Sequence, residues 1–331
     1  MADKFKLALY WAASCGGCEI AVLDTEEKIL DIDANFDIVF WPVAVDFKVK
    51  DVEALPDKSI TVCLFNGGIR NSENEEMAKL LRKKSVVMVA FGSCAQEGCI
   101  PGLANLYSRE SIFDYVYHQS PSVDNPDGVT PHPESRVNGY TMTLPVFYER
   151  LRPLHHVVDV DYTIPGCPPQ SDQVGAVITT LIDILANGKE LPPKGTVLGA
   201  GEKTCCEECL REREEKKISR FYRPHEIIAD PDKCLLDQGV FCMGPATRSG
   251  CGGKCVNAGI PCRGCYGPPP NADDPGARII AAISSVLDAE TEEDVNRILD
   301  TLADPVGTIY RFGLADSIIP VSLDFNHKGD E

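Results

Sequence analysis

Cysteine placement constrains this chain more than any other feature. Nine of its fifteen cysteines fall between Cys205 and Cys265, and residues 239–267 contain eight glycines. Glycine has no apolar side chain to bury, so an ordinary hydrophobic core cannot organise this segment. In a reducing compartment, clustered cysteines are metal ligands more often than disulfides, and the odd total agrees with that interpretation. The segment is therefore predicted to fold around bound metal.

Charge and hydropathy limit the classes of partner. The net charge of −18 argues against binding to nucleic acid or to an anionic membrane surface. No apolar run approaches the length of a membrane span, so membrane insertion is not expected. Lys4 and Lys6 precede the apolar run Leu7–Ala13, which faintly resembles a secretory signal. That run is short and lacks a clear cleavage pattern, so we interpret it as a first strand and expect a cytoplasmic protein.

Strand and helix patterns alternate over the first 190 residues, which predicts an α/β fold with a flavodoxin-like parallel sheet. The predicted strands are Lys6–Trp11, Phe36–Trp41, Ile60–Asn66, Ser85–Phe91 and Val157–Ile164. The predicted helices are Glu19–Leu30, Asn74–Lys84 and Asp172–Asn187. Residues 103–149 interrupt the alternation and are expected to form a loop-rich excursion.

The chain divides into two predicted domains. Residues 1–190 form the flavodoxin-like domain, 191–203 a linker, and 204–331 a loop-rich metal-binding domain with terminal helices. Those helices are predicted over Ala277–Leu287 and Glu292–Leu302, the second capped by Thr291 with Asp294 at its third position.

Four cysteines of the first domain follow predicted strands. Cys15 and Cys18 come after the first strand, Cys94 after the fourth and Cys167 after the fifth. Because ligands of open parallel sheets bind beyond the carboxyl ends of the strands, these thiols are expected to meet. Four thiolates suit an iron–sulfur cubane or a structural zinc ion.

Cysteines of the first domain could also have other roles. A C-x₂-C pair near a first strand can be a redox dithiol, although such pairs need no further cysteines. The glycine-rich first loop lacks the hydroxyl side chains of a phosphate cradle. Cys63 lies within a predicted strand and is expected to be a small core residue. Cys99 is surplus to four ligands and is expected not to bind metal.

The nine later cysteines suffice for two four-ligand sites with one thiol left over. Paired C-x₂-C spacing also occurs in zinc sites, so spacing alone leaves the metal open. The density of glycine and proline favours iron–sulfur clusters, whose sulfurs need backbone N–H donors close by. Of the adjacent Cys205 and Cys206, one is expected to be spare, and Cys206 has the C-x₂-C spacing to Cys209.

Several stretches together resemble the small subunit of nickel–iron hydrogenases. They are "CGGCE", "NGGIRNSENEEMAKLLRKKS", "AFGSCA", "IPGLAN", "YTIPGCPP" and "CRGCYGPP", in this order from the first strand to about residue 270. The resemblance is strongest to the cytoplasmic methyl-viologen-reducing type, which does not reduce coenzyme F420 and is associated with heterodisulfide reductase.

The resemblance implies three [4Fe–4S] clusters. Matching positions give the proximal cluster Cys15, Cys18, Cys94 and Cys167, the same four that the strand ends select. Resemblance and spacing together give the distal cluster Cys206, Cys209, Cys234 and Cys242, and the medial cluster Cys251, Cys255, Cys262 and Cys265. Many periplasmic relatives have a histidine among the distal ligands and lack a fourth medial cysteine, and this sequence departs from both patterns.

The expected function is that of an electron-transfer subunit with no catalytic residues of its own. Its implied partners are a nickel–iron large subunit, which would oxidise hydrogen, an iron–sulfur adaptor subunit and a heterodisulfide-reductase-like complex. Two alternatives stay open: the gamma subunit of a deazaflavin-coenzyme-reducing hydrogenase, and a non-redox zinc-binding interaction protein.

Overall fold

The computed structural model describes residues 4–214 and 217–319. Its strands are β1 Phe5–Trp11, β2 Phe36–Phe40, β3 Ile60–Asn66, β4 Ile69–Asn71, β5 Ser85–Phe91, β6 Glu134–Val137, β7 Tyr140–Thr143, β8 Phe147–Arg152 and β9 Tyr162–Ile164. Its α-helices are α1 Gly17–Leu23, α2 Ile29–Asn35, α3 Val49–Ala54, α4 Ser72–Lys84, α5 Ser93–Glu97, α6 Arg109–Asp114, α7 Ser171–Ala186, α8 Lys254–Asn257, α9 Pro275–Ser284, α10 Glu292–Leu299 and α11 Pro305–Ile309. None of the helices in these ranges is long and apolar enough to cross a membrane.

A five-stranded parallel sheet in the order β2-β1-β3-β5-β9 forms the first domain. This is the flavodoxin-like strand order, as predicted. Side chains of successive residues alternate between two buried faces, so both faces need cover. Helices α1, α2 and α7 cover one face, and α3, α4 and α5 cover the other. Cys63 is fully buried in the second layer, which confirms its interpretation as a core residue.

Local signals in the sequence correctly located several elements. Strands β3 and β5 have the predicted bounds, and the side chain of Asn71 caps α4 by accepting a hydrogen bond from the Asn74 backbone. At α10, Thr291 accepts from the backbone of Asp294, whose side chain accepts in return from the backbone of Thr291.

The prediction of one helix over Glu19–Leu30 was wrong, because the chain turns between α1 and α2. The Thr25 hydroxyl donates to the carbonyl of Val22 at 2.7 Å, and Glu26 adopts a φ of +54°. Such side-chain hydrogen bonds compete with the helical pattern, and a positive φ interrupts a right-handed helix.

Other predicted elements are shorter in the structure. The fifth strand is only β9, because a 3₁₀ turn at Leu154–His156 occupies the chain before it. The terminal helices end at Ser284 and Leu299 rather than at Leu287 and Leu302.

The predicted linker extends the sheet edge. Val197 pairs in parallel with Thr163 of β9, and the Leu198 N–H donates to the Thr163 carbonyl at 2.7 Å. The excursion over residues 103–149 contains α6 and the exposed antiparallel hairpin β6–β7.

Few regular elements organise the second domain before α9. Its core combines cysteines of the glycine-rich segment with apolar residues of the terminal helices, including Ile279, Ile283 and Ile298. Packing of α9 and α10 therefore supplies the apolar surface that the glycine-rich segment lacks.

Asp161, at the start of the β9 region, offers a test of the fold. Its buried carboxylate accepts hydrogen bonds from Arg82, Lys194 and the Met88 backbone. Burial raises its pKa, but the hydrogen bonds from Lys194 and Arg82 outweigh burial, so the net pKa is lowered. Asp161→Asn is expected to reduce the free energy of unfolding by about 2 kcal/mol at neutral pH.

The lowered pKa sets the pH dependence of that difference. A carboxylate with a depressed folded pKa stabilises the protein above its unfolded pKa of about 4 and loses this effect as the pH falls through the folded value. The gap between wild type and variant should therefore close in acid, as followed by denaturant unfolding. Asp183→Asn is the control, since that exposed carboxylate pairs only with Lys189 and Asn187 at the surface. Equal effects of the two substitutions would contradict the prediction.

Candidate metal centres

The four predicted thiols of the first site lie on loops at one edge of the sheet. Cys15 and Cys18 follow β1, Cys94 is in α5 directly after β5, and Cys167 follows β9. The charges of Cys167 and Cys15 both act on the thiol of Cys18, and Cys94 and Cys167 belong to one buried cluster. The strand-end argument therefore predicted a convergence of loops that the fold produces.

Gly92 permits the close approach of these loops. It has a φ of +83°, and a Cβ atom there would lie 2.3 Å from the Cys18 Sγ and 3.4 Å from the Gly166 carbonyl oxygen. The Ser93 N–H donates to the same Gly166 carbonyl at 2.8 Å. Only glycine lets the loop after β5 pass between Cys18 and the loop that carries Cys167.

A fifth thiol lies beside this site. The Sγ of Cys99 is 3.6 Å from the Sγ of Cys167, and Cys99 is almost fully buried. Sequence reasoning placed Cys99 in the correct loop and expected it not to bind metal.

A second group of thiols surrounds a cavity of about 40 Å³. The cysteines that line it are Cys205, Cys206, Cys209, Cys234 and Cys242. A Cβ atom at Gly244 would lie 3.0 Å from the Sγ of Cys206 and 3.6 Å from that of Cys242. Backbone N–H groups donate to these sulfurs as well, including the Cys262 N–H to the Sγ of Cys242 at 3.3 Å.

The third group joins Cys251, Cys255, Cys262 and Cys265, whose charges act on one another. Cys205 also reaches this group, since its thiol donates to Cys251 and Cys262. This hydrogen bond lowers the pKa of Cys251 and of Cys262, and it raises the pKa of Cys205. The adjacent cysteines 205 and 206 thus diverge: Cys205 turns toward the third group and Cys206 toward Cys234.

The three groups are contiguous. The Ser93 hydroxyl donates to the carbonyl of Cys265, and the charge of Cys167 acts on the Cys265 thiol, which links the first group to the third. The contact of the Cys262 backbone with the Cys242 sulfur links the third group to the second.

Burial makes these thiolates costly without a cation. It raises the pKa of Cys18 to about 12, that of Cys242 to about 12 and that of Cys206 to about 11. Metal ions reverse this cost because they bind the thiolate directly. Clustered buried thiols with backbone N–H donors therefore fit thiolate-bound metal, and the donor set suits iron–sulfur clusters or zinc.

Two buried carboxyls near the first group escaped the sequence analysis. Glu19 follows Cys18 directly and accepts a hydrogen bond from the Trp41 indole at 2.6 Å, and burial raises its pKa. Glu97 lies one turn after Cys94, and burial, together with the charge of Asp316, raises its pKa to about 8. Their proximity to cysteines in "CGGCE" and "SCAQE" was the available signal.

Comparisons with known proteins agree with this arrangement. The family model described as NADH ubiquinone oxidoreductase, 20 Kd subunit, matches residues 15–181. The iron-sulfur subunit of the F420-non-reducing hydrogenase of Archaeoglobus profundus is 41% identical over 96% of this chain and 98% of its own length. The same subunit of the F420-non-reducing hydrogenase of Methanothermobacter marburgensis is 36% identical over 98% of each chain.

Solved structures also resemble the chain. One chain of an NAD⁺-reducing [NiFe]-hydrogenase is 26% identical, with a TM-score of 0.47 over 57% of this chain and 96% of its own. A chain of the [NiFeSe] hydrogenase from Desulfovibrio vulgaris Hildenborough is 16% identical, with a TM-score of 0.49 over 81% of this chain and 94% of its own.

The family match over the sheet and its first thiols defines the class, that of proteins related to the 20 kDa subunit of NADH:ubiquinone oxidoreductase. Within this class the chain belongs to the family of iron-sulfur subunits of F420-non-reducing hydrogenases, the small-subunit type of nickel–iron hydrogenases.

The close approach at Gly92 can be tested. Gly92→Ala is expected to displace Cys18 and to lower the metal content of the purified protein by about one site, as measured by elemental analysis. Gly139→Ala is the matched control, because Gly139 has a φ of +84° but a Cβ atom there would have no other atom within 4 Å. It imposes the same backbone strain, so equal metal loss in both variants would show that strain, rather than the thiol contact, is responsible.

Proposed function

We propose that this chain is the electron-transfer subunit of a nickel–iron hydrogenase and holds three [4Fe–4S] clusters. The observation that carries the proposal is the unbroken series of thiol groups, from the carboxyl edge of the sheet through the second domain. The proposed proximal ligands are Cys15, Cys18, Cys94 and Cys167; the medial ligands are Cys251, Cys255, Cys262 and Cys265; and the distal ligands are Cys206, Cys209, Cys234 and Cys242.

Backbone donors support iron–sulfur clusters over zinc. The N–H groups of Gly244 and Cys262 donate to the sulfur of Cys242, and that of Gly264 donates to the sulfur of Cys262. Such donors set the potential of a cluster. The relative from Archaeoglobus profundus is itself named an iron-sulfur subunit.

The protein residues would bind, orient and shield the clusters. A cluster supplies one-electron redox chemistry, and the protein adjusts it through ligand type, hydrogen bonds and burial. Cys18, Cys94, Cys242 and Cys262 are each at least nine-tenths buried, so they would exclude water from their sides of the sites. Glu97 places a buried carboxyl close to the first site, where its charge acts on Cys167.

The divergence of Cys205 and Cys206 supports the choice of Cys206 as a distal ligand. Cys206 lies beside the Cys242 sulfur at Gly244, whereas Cys205 hydrogen-bonds to two proposed medial ligands. Cys205 would then donate its S–H to ligand sulfurs, as backbone N–H groups do, without binding iron.

A large hydrogenase subunit is the proposed partner at the sheet edge. Apolar side chains are exposed around the first thiols, including Trp11, Ile20 and Ile100 at 41%, 54% and 51%. A cluster that receives electrons from a buried site in the large subunit must lie close to that subunit, and these side chains would bury apolar area against it.

The acceptor is proposed to dock near the distal thiols. Leu210 follows Cys209 directly and is 85% exposed. The resemblance to hydrogenases associated with heterodisulfide reductase favours an iron–sulfur adaptor subunit there, which would pass electrons to a heterodisulfide-reductase-like complex.

Paired cysteine variants test the ligand assignment. Cys206→Ser is expected to remove up to about four of about twelve irons, or to convert one cluster, because a distal ligand is lost. Electron delivery to the acceptor should fall at least about tenfold, which corresponds to about 1.4 kcal/mol. Iron analysis and electron paramagnetic resonance of the anaerobically purified complex measure both effects.

Cys205→Ser is the matched control and should leave the iron content unchanged. Iron loss confined to the Cys205 variant would show that the other neighbour is the ligand. Tetrahedral zinc in place of about twelve irons in the wild type would contradict the proposed function and favour the zinc-binding alternative.

Reciprocal surface variants test the two partner sites. Ile20→Glu places a charge among the apolar side chains at the sheet edge and is expected to weaken large-subunit binding at least about tenfold. Leu210→Glu should retain the large subunit but slow electron transfer to the physiological acceptor. Quantitative co-purification and acceptor-reduction rates distinguish the two, and each variant is the control for the other. Loss of the large subunit from Leu210→Glu alone would reverse the proposed orientation.

A further inference from the structure

A cluster of possible metal ligands lies outside the thiol sites. The Nε2 atoms of His155 and His156 are 3.1 Å and 3.0 Å from the Oδ1 of Asp316. All three ligand atoms lie within 4.8 Å of one another. The two histidines follow β8, whereas Asp316 comes from a 3₁₀ turn near the end of the described chain.

We propose that His155, His156 and Asp316 bind one divalent transition-metal ion, for which zinc is the probe of choice. Zinc accepts imidazole nitrogen and carboxylate oxygen at about 2.0–2.2 Å, so ligand atoms of a tetrahedral site are about 3.3 Å apart. The two nitrogen–oxygen distances fall a few tenths of an ångström short of this separation. Small rotations of the side chains would therefore admit the ion.

The histidines are held in place by the fold. Leu154, the first residue of their turn, is fully buried in the core, and the two imidazole rings meet edge to face at 4.5 Å between centroids. His155 also makes a hydrogen bond with the backbone of Gln96, which raises its pKa as a carbonyl acceptor would. Metal-binding histidines characteristically donate their second ring N–H to such a carbonyl, which orients the ring.

Close packing brings Asp316 to the histidines. Its neighbour Ala315 packs against the turn after α5, where Cβ atoms at Gly98 and Gly102 would lie 2.5 Å and 3.0 Å from the Ala315 Cβ. Gly98 has a φ of +90°, so both conformation and space require glycine there. The third ligand is thus placed by backbone packing and not only by its hydrogen bonds.

The ligand set favours a transition metal over magnesium or calcium. Two of its three atoms are imidazole nitrogens, which suit zinc and its neighbours, whereas magnesium and calcium prefer oxygen. The three side chains are 44%, 40% and 34% exposed, which leaves the fourth position open to water. A bound ion would join the turn after β8 to the terminal segment and fasten the two parts of the chain together.

Zinc binding to the purified, chelator-treated hydrogenase complex tests the site. We expect one zinc ion per chain beyond any zinc in the controls, with nitrogen and oxygen ligands at about 2.0–2.2 Å by X-ray absorption, and not sulfur at about 2.3 Å. Asp316→Asn should weaken zinc binding at least about tenfold, and the double variant His155→Ala/His156→Ala should abolish this ion. Iron content should be unchanged in both variants.

The double variant His118→Ala/His132→Ala is the matched control, because it removes two exposed histidines elsewhere and should retain the ion. Should the histidine variant lose its terminal packing, Asp316→Asn, which keeps the shape of the side chain, still tests the site. Three outcomes would overturn the proposal: no zinc bound to the wild type, zinc with sulfur ligands alone, or equal zinc binding in wild type and Asp316→Asn.

Discussion

The docking of the cysteine-rich segment against the carboxyl edge of the sheet is the contact on which the whole arrangement depends. Tyr266 is almost fully buried there and donates its hydroxyl to the Gln173 side chain at 2.6 Å. Next to it, Ser93 donates to the carbonyl of Cys265. These hydrogen bonds join the "CRGCYGPP" stretch to α5 and α7, and they bring Cys265 beside the thiols of the first site.

Metal binding and folding are coupled in such a structure. The second domain gathers its apolar contacts from α9 and α10, and buried cysteines take up much of the remaining core. A buried thiolate is unfavourable without a cation, so bound metal would stabilise the same packing that creates its site. This explains how a segment so rich in glycine can hold a defined structure.

Secondary-structure prediction succeeded where local chemistry decides the outcome. The bounds of β3 and β5 follow from continuous apolar runs, and the starts of α4 and α10 follow from the capping residues Asn71 and Thr291. Prediction failed between α1 and α2, where the helical pattern continues in the sequence. The Thr25 hydroxyl bond and the positive φ of Glu26 break the helix there, and no apolar periodicity reports either of them.

The sequence by itself determined the class of fold, the gathering of Cys15, Cys18, Cys94 and Cys167 at one edge, and the family. Alternating strands and helices allow few topologies, and the carboxyl ends of parallel strands share an edge. Only the tertiary structure decided that Cys205 and Cys206 face different groups, that Glu97 is buried near the first site, and that Asp316 meets two histidines about 160 residues away in the chain. Those relations depend on packing between distant segments, which no local pattern of residues encodes.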